Sequence, residues 1–147
     1  MIIKVATDIL KRHWSPFDSR SRPWSLQENR PISISEVQRA VSLEQLVSPE
    51  REEHFKYYGK RYRELHVRRI AWFVVNGVVK PISIYVCPFL KDLTSGERWI
   101  ITDGNHRLAA AIVRNDSFVP SSIRGNWVYA EKLLSLDFGS PEGIRYG

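Results

Sequence analysis

At 147 residues the chain is long enough to bury one core without metal or disulfide staples, and its 43% hydrophobic and 12% aromatic content, with five Trp, excludes a disordered polymer. A single cysteine, Cys87, excludes an internal disulfide framework, while the charge-broken opening Met-Ile-Ile-Lys-Val-Ala-Thr-Asp and the lack of a long apolar run argue against a signal peptide or membrane span. The reading is a cytoplasmic protein with no membrane partner, and its net charge of +6 implies attraction to polyanions without choosing among them.

In chain order, residues 1–40 read as an irregular arm. A short apolar opening leads into His13-Trp14-Ser15-Pro16-Phe17-Asp18-Ser19-Arg20-Ser21-Arg22-Pro23-Trp24, rich in turn formers, Arg and Trp. Aromatics interleaved with Arg suit stacking on bases and contact with phosphates, and a loop laid over the core buries the same Trp; the loop is preferred. Pro31 to Val37 alternates apolar and polar residues, the period of a strand. Ser42 to Leu46 reads as a short capped helix closed by Ser48-Pro49, and Glu50 to Tyr58 as a charged helix ending at Gly59. From Arg63 to Asn76 a stronger helix places Val67, Ile70, Ala71 and Val74 on one stripe, Arg68, Arg69 and Trp72 on the other side, and stops at Gly77.

The pattern then turns to strands. Pro81 to Cys87 puts Ile82, Ile84 and Val86 on one face, Pro88 to Gly96 is a loop, and Glu97 to Thr102 is the next strand. Asp103-Gly104-Asn105 makes a turn, after which His-Arg-Leu-Ala-Ala-Ala-Ile-Val-Arg is built of helix formers. At helical spacing Leu108, Ala109, Ile112 and Val113 face the core, Arg107 and Arg114 lie in line on another side, and His106 falls at the border. Asn115-Asp116-Ser117 breaks the helix, Trp127 to Leu134 reads as a strand or short helix, and residues 138–147 form a loosely held tail. The sum is one α+β domain over 1–147 with its core at 60–127.

The turn carries the chemistry. The first amides of a helix lack internal partners and bear the positive end of its dipole, and Gly104 lets a ligand approach the backbone, so this junction is a natural phosphate cradle. The plainer alternative is that Asp103 and Asn105 cap the helix, His106 packs and the arginines are solvated.

The order helix, Asn-Gly, Pro-led strand, loop, Trp-containing strand, Asp103-Gly104-Asn105-His106-Arg107 and alanine-rich helix resembles the ParB/sulfiredoxin superfamily over about Glu64 to Gly125. The resemblance rests on Arg69-Ile70-Ala71 through Gly77, on Pro81 to Ile84 and above all on the DGNHRLAAA run. It implies a small α+β domain, a mixed sheet packed with helices, in which the turn holds nucleotide phosphates. Sulfiredoxins place a reactive Cys where this chain has Asn105, so a sulfinic-acid reductase is not expected. Partition proteins of the ParB type continue into DNA-reading and dimerising regions, for which the roughly twenty residues after Gly125 are too short. Family members with such a motif include a free-serine kinase and proteins described as nucleases.

The leading expectation is therefore a nucleotide-binding protein, for ATP, ADP or CTP, that hydrolyses the nucleotide or transfers its phosphoryl group. Gly104, Asn105, His106 and Arg107 would hold the phosphates, Asp103 and His106 would act in catalysis, and Asp103 would orient a Mg²⁺ bridged by substrate. Glu64, His66 and Arg69 are candidates for the pocket wall. A second expectation is a DNA-binding protein or nuclease of a plasmid or phage, with Trp14, Arg20, Arg22 and Trp24 on the nucleic acid. A third is a non-catalytic, ligand-gated interaction module.

Overall fold

Three consecutive alanines in the last strong helix allow it to be covered on both sides. In the computed structural model, which describes residues 2–17, 30–50, 60–86, 99–127, 130–131 and 134, the elements are β1 (Ile2–Ala6), α1 (Thr7–His13), α2 (Ile34–Ser42), α3 (Lys60–Asn76), β2 (Ile82–Val86), β3 (Trp99–Asp103), α4 (Asn105–Arg114) and β4 (Phe118–Gly125). The strands form one sheet in the order β1-β4-β2-β3. β1 pairs antiparallel with β4 and β3 antiparallel with β2, while β2 and β4 run parallel, so the domain is α+β with a mixed sheet.

α4 sits between the sheet and the α2–α3 pair. Leu108 and Ala111 join Val5, Ile82, Ile84, Val86, Trp99 and Val119 in one core. Ala109 and Ala110 join Ile32, Val37, Val67, Ile70 and Ala71 in a second core on the other side. All four α4 residues are fully buried. Larger side chains at 109–111 would push the layers apart in an interior packed at crystal-like density. Ile112 and Val113, expected in the same stripe, are half-buried at its margin.

Several expectations are corrected. The stretch read as an irregular arm holds β1, α1 and the start of α2. Pro31 to Val37 begins a helix rather than forming a strand: Ser33 Oγ accepts from the Glu36 amide at 3.2 Å while the Glu36 carboxylate accepts from the Ser33 amide at 2.7 Å, a reciprocal capping box. Ile32 and Val37, flanking that box, are both fully buried in one cluster, the apolar staple that fixes the entry of such a helix. Buried Arg63 of α3 anchors this junction through a bidentate pair with Glu36 (3.0 and 2.8 Å) and bonds to the carbonyls of Arg30 and Pro31. Burial pushes the Glu36 carboxyl up, yet the Arg63 and Ser33 hydrogen bonds and the Arg63 charge outweigh it and hold the group below its usual range.

Ser42 to Leu46 is not a helix, because α2 ends at Ser42 and Glu44 adopts a left-handed φ of 53°. The break at Asn115 to Ser117 stands, and β4, a strand to which the sequence pattern assigned no element, follows it; its Pro120 lies one residue before the pairing with β2 begins at Ser121, where a missing N–H costs no bond to that neighbour. Between the two readings of Trp127 to Leu134, the amides of Ala130 and Leu134 donate to carbonyls four residues earlier, the helical pattern. The expectations for 51–58, for Cys87 and the loop 88–96, and for the tail 138–147 lie outside the described residues.

The capping box gives a direct check. Ser33→Ala is expected to lower the unfolding free energy in urea by about 1 kcal/mol, the usual worth of an N-cap, whereas Gln38→Ala, exposed further along α2, leaves it unchanged or slightly raised. Equal small effects at both positions would return this segment to the strand reading.

Candidate functional site

The junction of β3 and α4 is shaped by one glycine. Gly104 has φ of +102°, and a Cβ there would lie 2.7 Å from Ile82 Cγ2 and 3.0 Å from Arg107 Nη2, so any side chain meets both strain and collision. The first helical bond runs from the Leu108 amide to the Gly104 carbonyl at 2.9 Å, which leaves the amides of Asn105, His106 and Arg107 ahead of it.

No side chain caps this helix end, so the capping alternative for Asp103 and Asn105 is not what they do. Asn105 Oδ1 accepts from the indole N–H of Trp14 at 2.9 Å. Asp103 accepts from Arg107 Nη2 at 3.0 Å, and Arg107 Nη1 donates to the Pro81 carbonyl at 2.8 Å. Arg107 is thus buried at 6% exposure, unlike Arg114, which the sequence placed in line with it and which lies exposed at the other end of the helix. Arg114 also finds a carbonyl, that of Val74 at 2.7 Å, and the Asp116 carboxylate, but at the exposed end of the helix.

The second feature joins two helices. His66 Nδ1 of α3 lies 2.7 Å from His106 Nε2 of α4. The rings are within 13° of coplanar with centroids 5.0 Å apart. That separation is the N···N distance plus two ring radii, so the imidazoles meet edge to edge along a hydrogen bond rather than face to face. Burial, followed by the charge of Arg69, pushes His66 down from 6.5 to about 4. Burial, then His66, Arg69 and Arg107, pushes His106 well below its ordinary value. Both rings are therefore neutral at pH 7, one donating its N–H and the other accepting on a lone pair.

His106 opens onto a cleft of about 670 Å³. Asp103, Gly104 and Arg107 line its floor with His106, and α3 contributes Arg69, Trp72, Phe73 and Asn76. Val79, Lys80, Pro49 and Glu50 also line it. Trp72 and Phe73 meet edge to face, their centroids 5.2 Å apart. The cleft thus sets cationic groups, a neutral imidazole, the first turn of α4 and an aromatic wall around one volume, within the range of small-molecule sites.

The candidate residues divide accordingly. Asp103, Gly104, His106, Arg107 and Arg69 share the cleft, and Asn105 stands beside them, tied to Trp14. His66 is behind His106 and 5% exposed. Glu64 is elsewhere: it lies exposed, 4.0 Å from Arg68, and lines a separate groove between α2 and α3. Trp14 is half-buried against the sheet core, 6.4 Å from Trp99 between centroids, which favours the loop reading over a stacking arm. Arg20, Arg22 and Trp24 lie outside the described residues. Among the described residues no group of three or more His, Cys, Asp and Glu is gathered for a metal ion, and no helix is long and apolar enough to cross a membrane.

Trp72, Phe73 and Lys80 were not anticipated. Positions 69, 72, 73 and 76 follow the i, i+3, i+4, i+7 spacing of a single helix face, a signal that was available but overshadowed by the apolar stripe opposite. The chain matches no family model, no curated protein and no solved structure.

The histidine pair makes stability depend on pH in a defined direction. A histidine whose folded pKa is depressed binds fewer protons folded than unfolded, so stability is fully present above the unfolded value and falls as pH drops. The window for His66 runs from 6.5 down to about 4. The unfolding midpoint is expected to fall through this window on acidification, and His66→Gln should flatten the fall, measured by thermal unfolding at a series of pH values. An unchanged slope in the variant would mean that the pair is not held neutral by the fold.

Proposed function

We propose that the cleft binds a nucleotide, its phosphates at the Gly104 to Arg107 turn and its base toward Trp72 and Phe73, and that the protein hydrolyses the nucleotide or transfers its phosphoryl group. The observation that carries this reading is the convergence, in one volume, of the first amides of α4, the Arg69 and Lys80 cations and an aromatic wall. Phosphoryl transfer asks for positioned positive charge more than for covalent chemistry, and these groups are of that kind. The likeness of residues 103–111 to the phosphate-binding turn of the ParB/sulfiredoxin superfamily supports the same reading.

Roles follow from geometry. The amides of Asn105 to Arg107 bind phosphate oxygens along the helix dipole. Arg69 and Lys80 balance their charge, and neutral His106 donates or accepts a single hydrogen bond. Asp103 is the carboxylate at the turn and would meet a Mg²⁺ carried in by the phosphates; its bond to Arg107 sets its direction. Because Arg107 also holds the Pro81 carbonyl, its removal costs the fold as well as the ligand, and it is a poor probe of binding alone.

A thermal-shift panel of ATP, ADP, CTP and single-stranded DNA, each with and without Mg²⁺, tests the reading. A nucleotide present at about a hundred times its Kd stabilises the native state by roughly 2.7 kcal/mol and raises the midpoint. Arg69→Ala is expected to weaken that binding by about 1.5–3 kcal/mol, and Lys11→Ala, exposed on α1, to leave it unchanged. A midpoint raised by DNA and by none of the nucleotides would replace this reading with the nucleic-acid one.

A further inference from the structure

The shape of the His66–His106 contact sets how many protons it can hold. In the neutral pair one ring nitrogen donates and the facing nitrogen accepts across 2.7 Å. One added proton, placed on an outer nitrogen, leaves an imidazolium bonded to an imidazole with the charge shared along the bond. A second would remove the only lone pair between the rings and break the contact, so the capacity is one. The bond is also inter-helical, from α3 to α4, and one member lines the cleft while the other is 5% exposed behind it.

We infer that this pair is a proton acceptor coupled to the cleft, so that a polyanion docking at the first turn of α4 is bound together with one proton taken from solvent onto the His66–His106 bond. The step moves a single proton: an N–H forms on a ring nitrogen, the conjugate base stays in solution, and no other bond changes. This rests on the proposed nucleotide reading and specifies how that site takes its ligand.

The charges around the pair give the direction of coupling. From α3, Arg69 faces both rings and Glu64 is engaged with Arg68. From α4, Arg107 faces His106, its own charge partly met by Asp103. Lys80 and Glu50 stand at the cleft rim, and Glu36 of α2 is held by Arg63. With the cleft empty, burial and the two guanidiniums keep the rings uncharged. A phosphate group lying among Arg69, Arg107 and the α4 amides cancels that positive field, and the pair then holds a proton that it refused before. Reciprocity requires that acid strengthen binding as binding strengthens the proton.

Titration calorimetry with ATP at about pH 5, above the value of about 4 for His66 in the empty cleft and within reach of a typical coupling of up to about 150-fold, in buffers of different ionisation enthalpy, counts the protons. Close to one proton taken up by the pair per ATP is expected once the proton that the terminal phosphate, with a second pKa of about 6, releases to solvent among the cations is allowed for. Affinity should rise by up to about tenfold for each pH unit of acidification while the pair is charging, and the ring ¹⁵N shifts of His66 and His106 should move from the neutral to the cationic pattern when ATP is added. The double variant His66→Gln with His106→Gln should lose the uptake. If that variant does not fold, the proton count and ring shifts of the unaltered protein decide. ATP binding with no proton taken up and both rings still neutral overturns this inference alone; no binding of ATP, ADP or CTP at any pH between about 5 and 8 overturns the nucleotide reading and this inference with it.

Discussion

The tight seating of α4 is the constraint on which the rest of the molecule depends. Burying the helix on two sides requires alanine at 109, 110 and 111, and places Leu108, together with Ala111, on the sheet side. It also fixes where the helix begins. The strand that feeds it must turn within one residue, at Gly104, against Ile82 of the neighbouring strand. The start of α4 is consequently held at the top of β2 and β3 and beside the middle of α3, and the cleft is the space these three leave.

Polar chemistry gathers there because apolar chemistry is exhausted elsewhere. The two cores take Val67, Ile70 and Ala71 of α3 and Leu108 to Ala111 of α4, and the face of α3 at 69, 72, 73 and 76 is turned toward the first turn of α4. A histidine on each helix meets across the same seam. The pair is stable as a neutral hydrogen bond because burial penalises charge more than it penalises a satisfied imidazole. The local arrangement, rather than the net charge of +6, is what distinguishes this region from an ordinary basic surface.

Much of this was legible in the chain and some of it was not. Alternating Ile82, Ile84 and Val86, the left-handed stop at Gly77 and the strand-to-helix switch at Gly104 depend on local period and on glycine, and each stands in the structure where the pattern puts it. The segment from Pro31 to Val37 failed because a capping box between two buried apolar residues, Ile32 and Val37, imitates the period of a strand. β4 was hidden by Pro120 and two serines, and only the pairing with β1 and β2 gives it a strand's role. The His66–His106 contact joins residues forty positions apart, and nothing in local sequence encodes that meeting.

The turn is clamped from three directions before any ligand arrives. Trp14, brought in by β1 and α1, holds Asn105 through its indole N–H. Arg107 ties the first turn to the Pro81 carbonyl at the head of β2 and to Asp103 at the end of β3. His66 holds His106 from α3. Each clamp fixes a side chain whose backbone amide belongs to the set ahead of the first helical bond, so the direction of those amides is set by the fold. A site arranged in this way loses little conformational freedom on binding. The N-terminal segment accordingly belongs to the frame of the site: it does not need to touch a ligand to matter, because Asn105 is positioned through Trp14.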